Sequence, residues 1–163
     1  MTMTLIETIT VGSGGAASIE FTGIPQDGKD LLVLLSARAN TVQALWMQLN
    51  GSNSDFSGLR LTGTGSSVIA TTETVQVGFI NRSSSTANTF GNAAIYISNY
   101  ASSTAKSIST DSVNENNDTS ALQNINATIW DNTAAITSLL VEPQSGASYP
   151  FLEHTTASLY TIS

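Results

Sequence analysis

The chain carries one histidine, His154, twelve carboxylates and an abundance of serines. The first chemistry to test is therefore nucleophilic hydrolysis. A serine nucleophile needs a histidine base and an acid that orients it. His154 stands beside Glu153, but no G-x-S-x-G elbow is present to offer a serine. A solitary histidine of this kind reads as a surface or loop residue. Glycoside hydrolysis needs two carboxylates facing one another across the scissile bond, and no pair is singled out by spacing. The densest acidic stretch, 111–118 (Asp-Ser-Val-Asn-Glu-Asn-Asn-Asp), is rich in the oxygen ligands calcium takes. It lacks the spacing and glycine of an EF-hand and reads as an Asn/Asp-rich turn between strands.

Cysteine is absent, which removes disulfides and Cys-based zinc sites together. One histidine cannot build a histidine-rich metal site. The glycine clusters follow no phosphate-loop spacing. Asn-x-Ser/Thr triplets begin at Asn50, Asn81, Asn117 and Asn126; in a chain so rich in these residues they read as coincidence. The expectation is a protein that is no enzyme and uses neither metal nor cofactor.

The elements that would position any site are strands. Period-two alternation recurs, and helical periodicity appears over no useful length. Ala17, Ile19 and Phe21 point one way; Leu45, Met47 and Leu49 form a second row, ending at Asn50-Gly51, a hairpin-turn dipeptide. Val75, Val77 and Phe79 form a third, Ile95 with Ile97 a fourth, and Ile125, Ala127 and Ile129 a fifth. The segment 30–38 is apolar on both faces at first and then alternates, as a central strand covered on each side at one end would. Segments 4–11, 134–142 and 156–162 complete the set. Clusters such as Gly12-Ser-Gly-Gly and Pro25-Gln-Asp-Gly punctuate it. Eight to ten short strands spaced this way predict one all-β domain over 1–163, an antiparallel β-sandwich of jelly-roll or related Greek-key type. Residues 1–11 either join the sandwich or reach to a neighbour as an exchanged, docking strand.

If the aliphatic rows face the core, parity puts Trp46, Tyr96, Tyr100, Trp130 and Tyr160 on the opposite faces. Trp and Tyr there anchor protein interfaces and also make sugar-stacking platforms. These five are the candidate interface or ligand residues.

Composition narrows the partners. Charged residues are 10% of the chain and hydrophobic ones 40%, while Ser, Thr and Asn fill roughly a third of the positions. Short neutral polar groups are cheap to desolvate and lose little entropy when immobilised, which suits large static contacts between subunits. Net charge is −7, and the five basic residues, Lys29, Arg38, Arg60, Arg82 and Lys106, form no stripe. Nucleic acid and anionic membranes are therefore not expected partners. The first residues have no basic region followed by an apolar core, so no signal peptide is expected, and synthesis in a cytoplasm follows.

Four stretches carry a resemblance: 8–25, 30–38, 88–97 (Asn-Thr-Phe-Gly-Asn-Ala-Ala-Ile-Tyr-Ile) and 157–162 (Ala-Ser-Leu-Tyr-Thr-Ile). In these the chain resembles small β-rich virion proteins of tailed bacteriophages, including phages of cyanobacteria. The resemblance implies a non-enzymatic virion subunit made in the host cytoplasm. Commonly that is a capsid cement or decoration protein, a homotrimer seated on the major capsid protein; the alternative is the receptor- or carbohydrate-binding head of a fibre or spike, with a cell-surface glycan as ligand.

Overall fold

A computed structural model describes residues 2–41, 44–115 and 121–163, and among them thirteen strands form and no helix. Eight strands lie side by side in one antiparallel sheet: β1 (Met3–Thr10), β13 (Thr156–Ile162), β3 (Asp30–Ala39), β9 (Gly91–Ile97), β10 (Lys106–Glu115), β11 (Ala121–Trp130), β5 (Phe56–Gly63) and β6 (Val68–Glu73). A smaller antiparallel sheet, in the order β2 (Ile19–Thr22), β12 (Ser138–Pro143), β4 (Ala44–Leu49) and β7 (Gln76–Phe79), packs against one face. The short β8 (Asn81–Arg82) pairs in parallel with the end of β3. The molecule is an all-β sandwich of two sheets of unequal width.

Few neighbours in sequence are neighbours in the sheets. Only β5–β6 and β9–β10–β11 pair consecutively. Strand β12 returns to lie between β2 and β4, and β13 returns to lie between β1 and β3, a Greek-key connectivity. Asn50 and Gly51 make the tight turn their sequence predicts, with φ of 53° and 73°, and Leu49 and Ser52 exchange both backbone hydrogen bonds at 3.0 Å. The chain then leaves for the large sheet, so the turn closes no hairpin. It is pinned instead from its side: Asn50 Oδ1 accepts from the backbone of Thr137 (2.8 Å) and Ser138 (3.2 Å).

The apolar rows of β2, β4, β12, β3, β9 and β13 meet between the sheets. Phe21, Met47, Leu49, Leu139, Val33, Ile95 and Leu159 are all buried there, each worth roughly 1.5–3 kcal/mol of transfer free energy. Strand β3 is central, as expected, but its cover differs. Leu32 is half-buried and Leu34 exposed on the outer side, so the doubly covered end is the one at Arg38, where segment 83–89 folds over the sheet. The buried Arg38 guanidinium donates from Nη1 to the carbonyls of Thr86 (2.7 Å) and Thr89 (2.8 Å). From Nη2 it donates to those of Ser83 (3.1 Å) and Ser85 (3.0 Å). Four carbonyls on one cation stitch that segment down.

Candidate functional site

The fifth aliphatic row does not face the core. Ile125, Ala127 and Ile129 lie on the outer face of β11, and Asn124, Asn126, Thr128 and Trp130 face inward. The register explains the reversal. Lys106, Trp130 and Phe56 pair across β10, β11 and β5 and share one row. Trp130 stacks on Phe56 with ring centroids 6.3 Å apart, and the Lys106 ammonium lies 5.7 Å from the indole. Lys106 is fully buried, and its ammonium donates to the carbonyls of Ser102 (2.9 Å), Thr104 (2.5 Å) and Ala134 (3.0 Å). Three donors meet three acceptors. Burial pushes the Lys106 pKa below its ordinary value.

Once Trp130 is turned inward, parity carries the rest of β11 with it. Thr62 donates to Asn124 (2.8 Å), and Asn124 donates to Asn114 (3.2 Å). Asn126 donates to the Gln76 carbonyl (3.2 Å), and the Phe79 amide donates to Ser112 Oγ (3.2 Å). Side chains of the large sheet thus hydrogen-bond the backbone of β7. Gly78 permits the close approach, since a Cβ there would stand 2.9 Å from Ser112 Oγ. Thr110 Oγ1, Thr128 Oγ1, Asn126 Oδ1, Gln76 Nε2 and Trp130 Nε1 find no partner among the described residues.

The apolar side of this region is therefore the outside. Leu59, Leu61, Val68, Ile125 and Ile129 are 60, 48, 72, 53 and 41% exposed. They form one field: Ile125 pairs with Leu61, Leu61 with Ala70, Ala127 with Leu59 and Val68 with Gly63. Three shallow hollows meet around Ala127. One is bounded by Tyr96, Ser107 and Ile129, one by Leu61, Ala70 and Ile125, and one by Ser57 and Leu59. One ion pair is turned away from the field, while Asp111 stays in the outer row opposite Ile125. Arg60, between the two leucines, turns to the other face, where it bonds Glu73 (2.8 and 2.9 Å) and covers the Phe79 ring at 4.4 Å. Asp111 accepts from the Gln123 amide.

The five aromatic candidates do not converge. Trp46 is half-buried on the outer face of the small sheet, paired with Glu142, to which Gln48 donates (2.9 Å). Tyr96 lies on the outer face of the large sheet and donates to Asp30 Oδ2 at 2.6 Å. That bond, then burial, raises its pKa. Tyr160 is half-buried on the same face between Leu5 and Leu32. The outward placement expected of Trp130 and Tyr100 is wrong: both are core residues. Strand β9 ends at Ile97, and the turn at Asn99 (φ 49°) swings Tyr100 inward. There its hydroxyl donates to the Pro25 carbonyl and accepts from the Gly28 amide (3.2 Å), and burial raises its pKa.

The acidic stretch is not a turn as far as it is described, because Asp111 to Glu115 complete β10; residues 116–118 lie outside the described residues. Glu153 and His154 are exposed on a turn, His154 with φ of 72°, and line an open hollow with Arg38, Asn88 and Phe90. Among the described residues no three His, Cys, Asp or Glu side chains gather as a metal site. In comparisons with known proteins, no family model, no curated protein and no solved structure matches the chain.

Proposed function

We propose that this chain is a non-enzymatic structural subunit of a larger particle, working by burying the outer face of its large sheet against protein neighbours. One observation carries the reading: the aliphatic row of β11, with Leu59 and Leu61 of β5, is spent on the outside while amides and hydroxyls fill the inside. Apolar surface held in water gives up about 25 cal/mol per Å² that burial would return, and an exposed apolar field of this kind marks a contact surface. The particle that fits the sequence resemblance is the shell of a tailed phage, with the chain as a cement or decoration subunit. In that role it is a trimer on the major capsid protein, laid across capsomer boundaries so that each copy adds a contact the bare shell lacks. Quantitative mass spectrometry of purified particles is the test. Hundreds of copies per particle, and lower heat resistance in particles lacking the chain, are expected; a handful of copies refutes the cement role.

A second reading is favoured by one feature of the opposite sheet. Trp46, flanked by Gln48 and Glu142, pairs an aromatic plate with hydrogen-bonding groups, as a sugar platform does. On a glycan array, binding lost in Trp46→Ala and kept in Leu61→Asp would favour a receptor-binding head.

A further inference from the structure

We propose that the apolar field around Leu59, Leu61, Ile125 and Ile129 is closed by a second copy of this chain, large sheet against large sheet. The inference rests on reading the chain as an assembly subunit, and it names the nearest partner.

Charge comes first. Each copy carries a net −7, so two copies repel unless they meet where charge is sparse. The field is such a place apart from Asp111, which stands in the outer row opposite Ile125 and accepts from the neutral Gln123 amide; Arg60 and Glu73 pair on the opposite face. A strongly acidic partner would find no complement here, whereas an apolar face complements itself.

Area comes second. With strands about 4.8 Å apart and about 3.4 Å of rise per residue, the outer face of β11, β5 and β6 covers only about 400 Å². Specific interfaces bury about 800 Å² per partner. By the same spacing the full eight-strand face spans roughly 1,100 Å², part of it under segment 83–89. A broad partner surface is needed, and a sheet meets the requirement where a single segment does not.

Shape comes third. The hollows meeting at Ala127 lie beside the projecting Leu59, Ile125 and Ile129. Knobs and holes on one face interdigitate when two such faces stack with their strands roughly aligned. The free edge at β6 fits the same picture: residues 68–72 hold no Lys, Pro or bulge to protect it. Packing around a two-fold or a three-fold axis buries the same face.

The experiment is sedimentation of the full chain at micromolar concentration. A mass two or three times the chain's 17.0 kDa is expected. Leu61→Asp and Ile125→Asp should each weaken association about 100-fold, the loss of a central interface anchor, while Tyr149→Asp, in a distant loop, leaves it unchanged. A monomeric wild type, or an oligomer indifferent to both aspartates, overturns the inference. Because the chain has no cysteine, Ile125→Cys offers a readout that does not depend on the aspartate variants folding. It should oxidise to a covalent dimer, where Tyr149→Cys should not, and failure to cross-link counts against the contact. Shell binding is scored separately. Self-associating chains absent from particles refute the particle reading alone. Bound chains that never self-associate refute this one alone.

Discussion

Beneath β3 the inward row is Leu31, Val33 and Leu35; beneath β11 it is Asn124, Asn126 and Thr128. The outward rows differ less: β3 shows Leu32, Leu34 and Ser36 there, while β11 and β5 show Ile125, Ile129, Leu59 and Leu61. Both regions belong to one continuous sheet and are joined through β9 and β10. The first region is held by apolar transfer, which is non-directional and tolerant of exchange. The second is held by directional hydrogen bonds that satisfy only part of its buried polar atoms among the described residues, with the apolar side left for another molecule. Folding and assembly thus draw on opposite faces of the same strands.

The comparison is broken most directly by truncating one apolar residue of the core and one of the outer field. Phe21→Ala removes a fully buried ring from the apolar region and should cost about 3–5 kcal/mol. The matching loss on the outside, Leu61→Ala, should leave the isolated chain within about 0.5 kcal/mol of wild type. Urea unfolding followed by Trp fluorescence reads both. If the two costs were alike, the outer field would be part of the core and the contrast would fail.

Lys106→Met sharpens the account of the polar region. The thioether keeps the length of the stem but leaves three carbonyls without a donor, for an expected loss of about 2–4 kcal/mol. A loss below about 1 kcal/mol would mean that water replaces the ammonium readily and that Trp130 is held inward by Phe56 alone. Next in size is Asn124→Ala, which cuts the chain from Thr62 through Asn124 to Asn114. About 1–2 kcal/mol is expected, more than an exposed Asn should cost and less than the ammonium.

The two regions differ in legibility for the same reason that they differ in energetics. In β2, β4 and β9 the two faces contrast sharply, and period two assigns Phe21, Met47 and Ile95 to the core correctly. In β11 both faces carry a plausible row, Ile-Ala-Ile against Asn-Asn-Thr-Trp. The tie is broken by Lys106 and Phe56, partners on other strands that local pattern does not register. Choosing the aliphatic row by hydrophobicity alone therefore hid the outer field. A signal was present in β5, where Leu59 and Leu61 alternate with Arg60 and Thr62, polar residues well able to bond one another across an interior. Tyr100 escapes parity for a different reason: it lies past the end of β9, in a turn with its own geometry.

The smallest expected effect separates the regions by pH. Tyr96 bonds Asp30 at the β3–β9 side, and its pKa lies above the ordinary 10.0. Below pH 10.0 the phenol is protonated in both folded and unfolded chains, and its contribution is whole. Above that value the unfolded chain loses the proton first, so the native state binds more protons and stability falls as pH rises. Lys106 acts with the opposite sign. Its lowered pKa means that below its ordinary 10.5 the unfolded chain holds the extra proton, and stability there rises with pH toward that value. A raw alkaline melt mixes the two, and Tyr100, also raised, adds to the tyrosine side. The difference between wild type and Tyr96→Phe removes the shared parts. That difference should be a few tenths to about 1 kcal/mol near neutrality, a hydrogen bond discounted for solvent access, and should shrink as pH rises above 10.0. A difference that instead grew with pH would mean the Asp30 bond favours the phenolate, and the electrostatics assigned to this side of the sheet would be wrong.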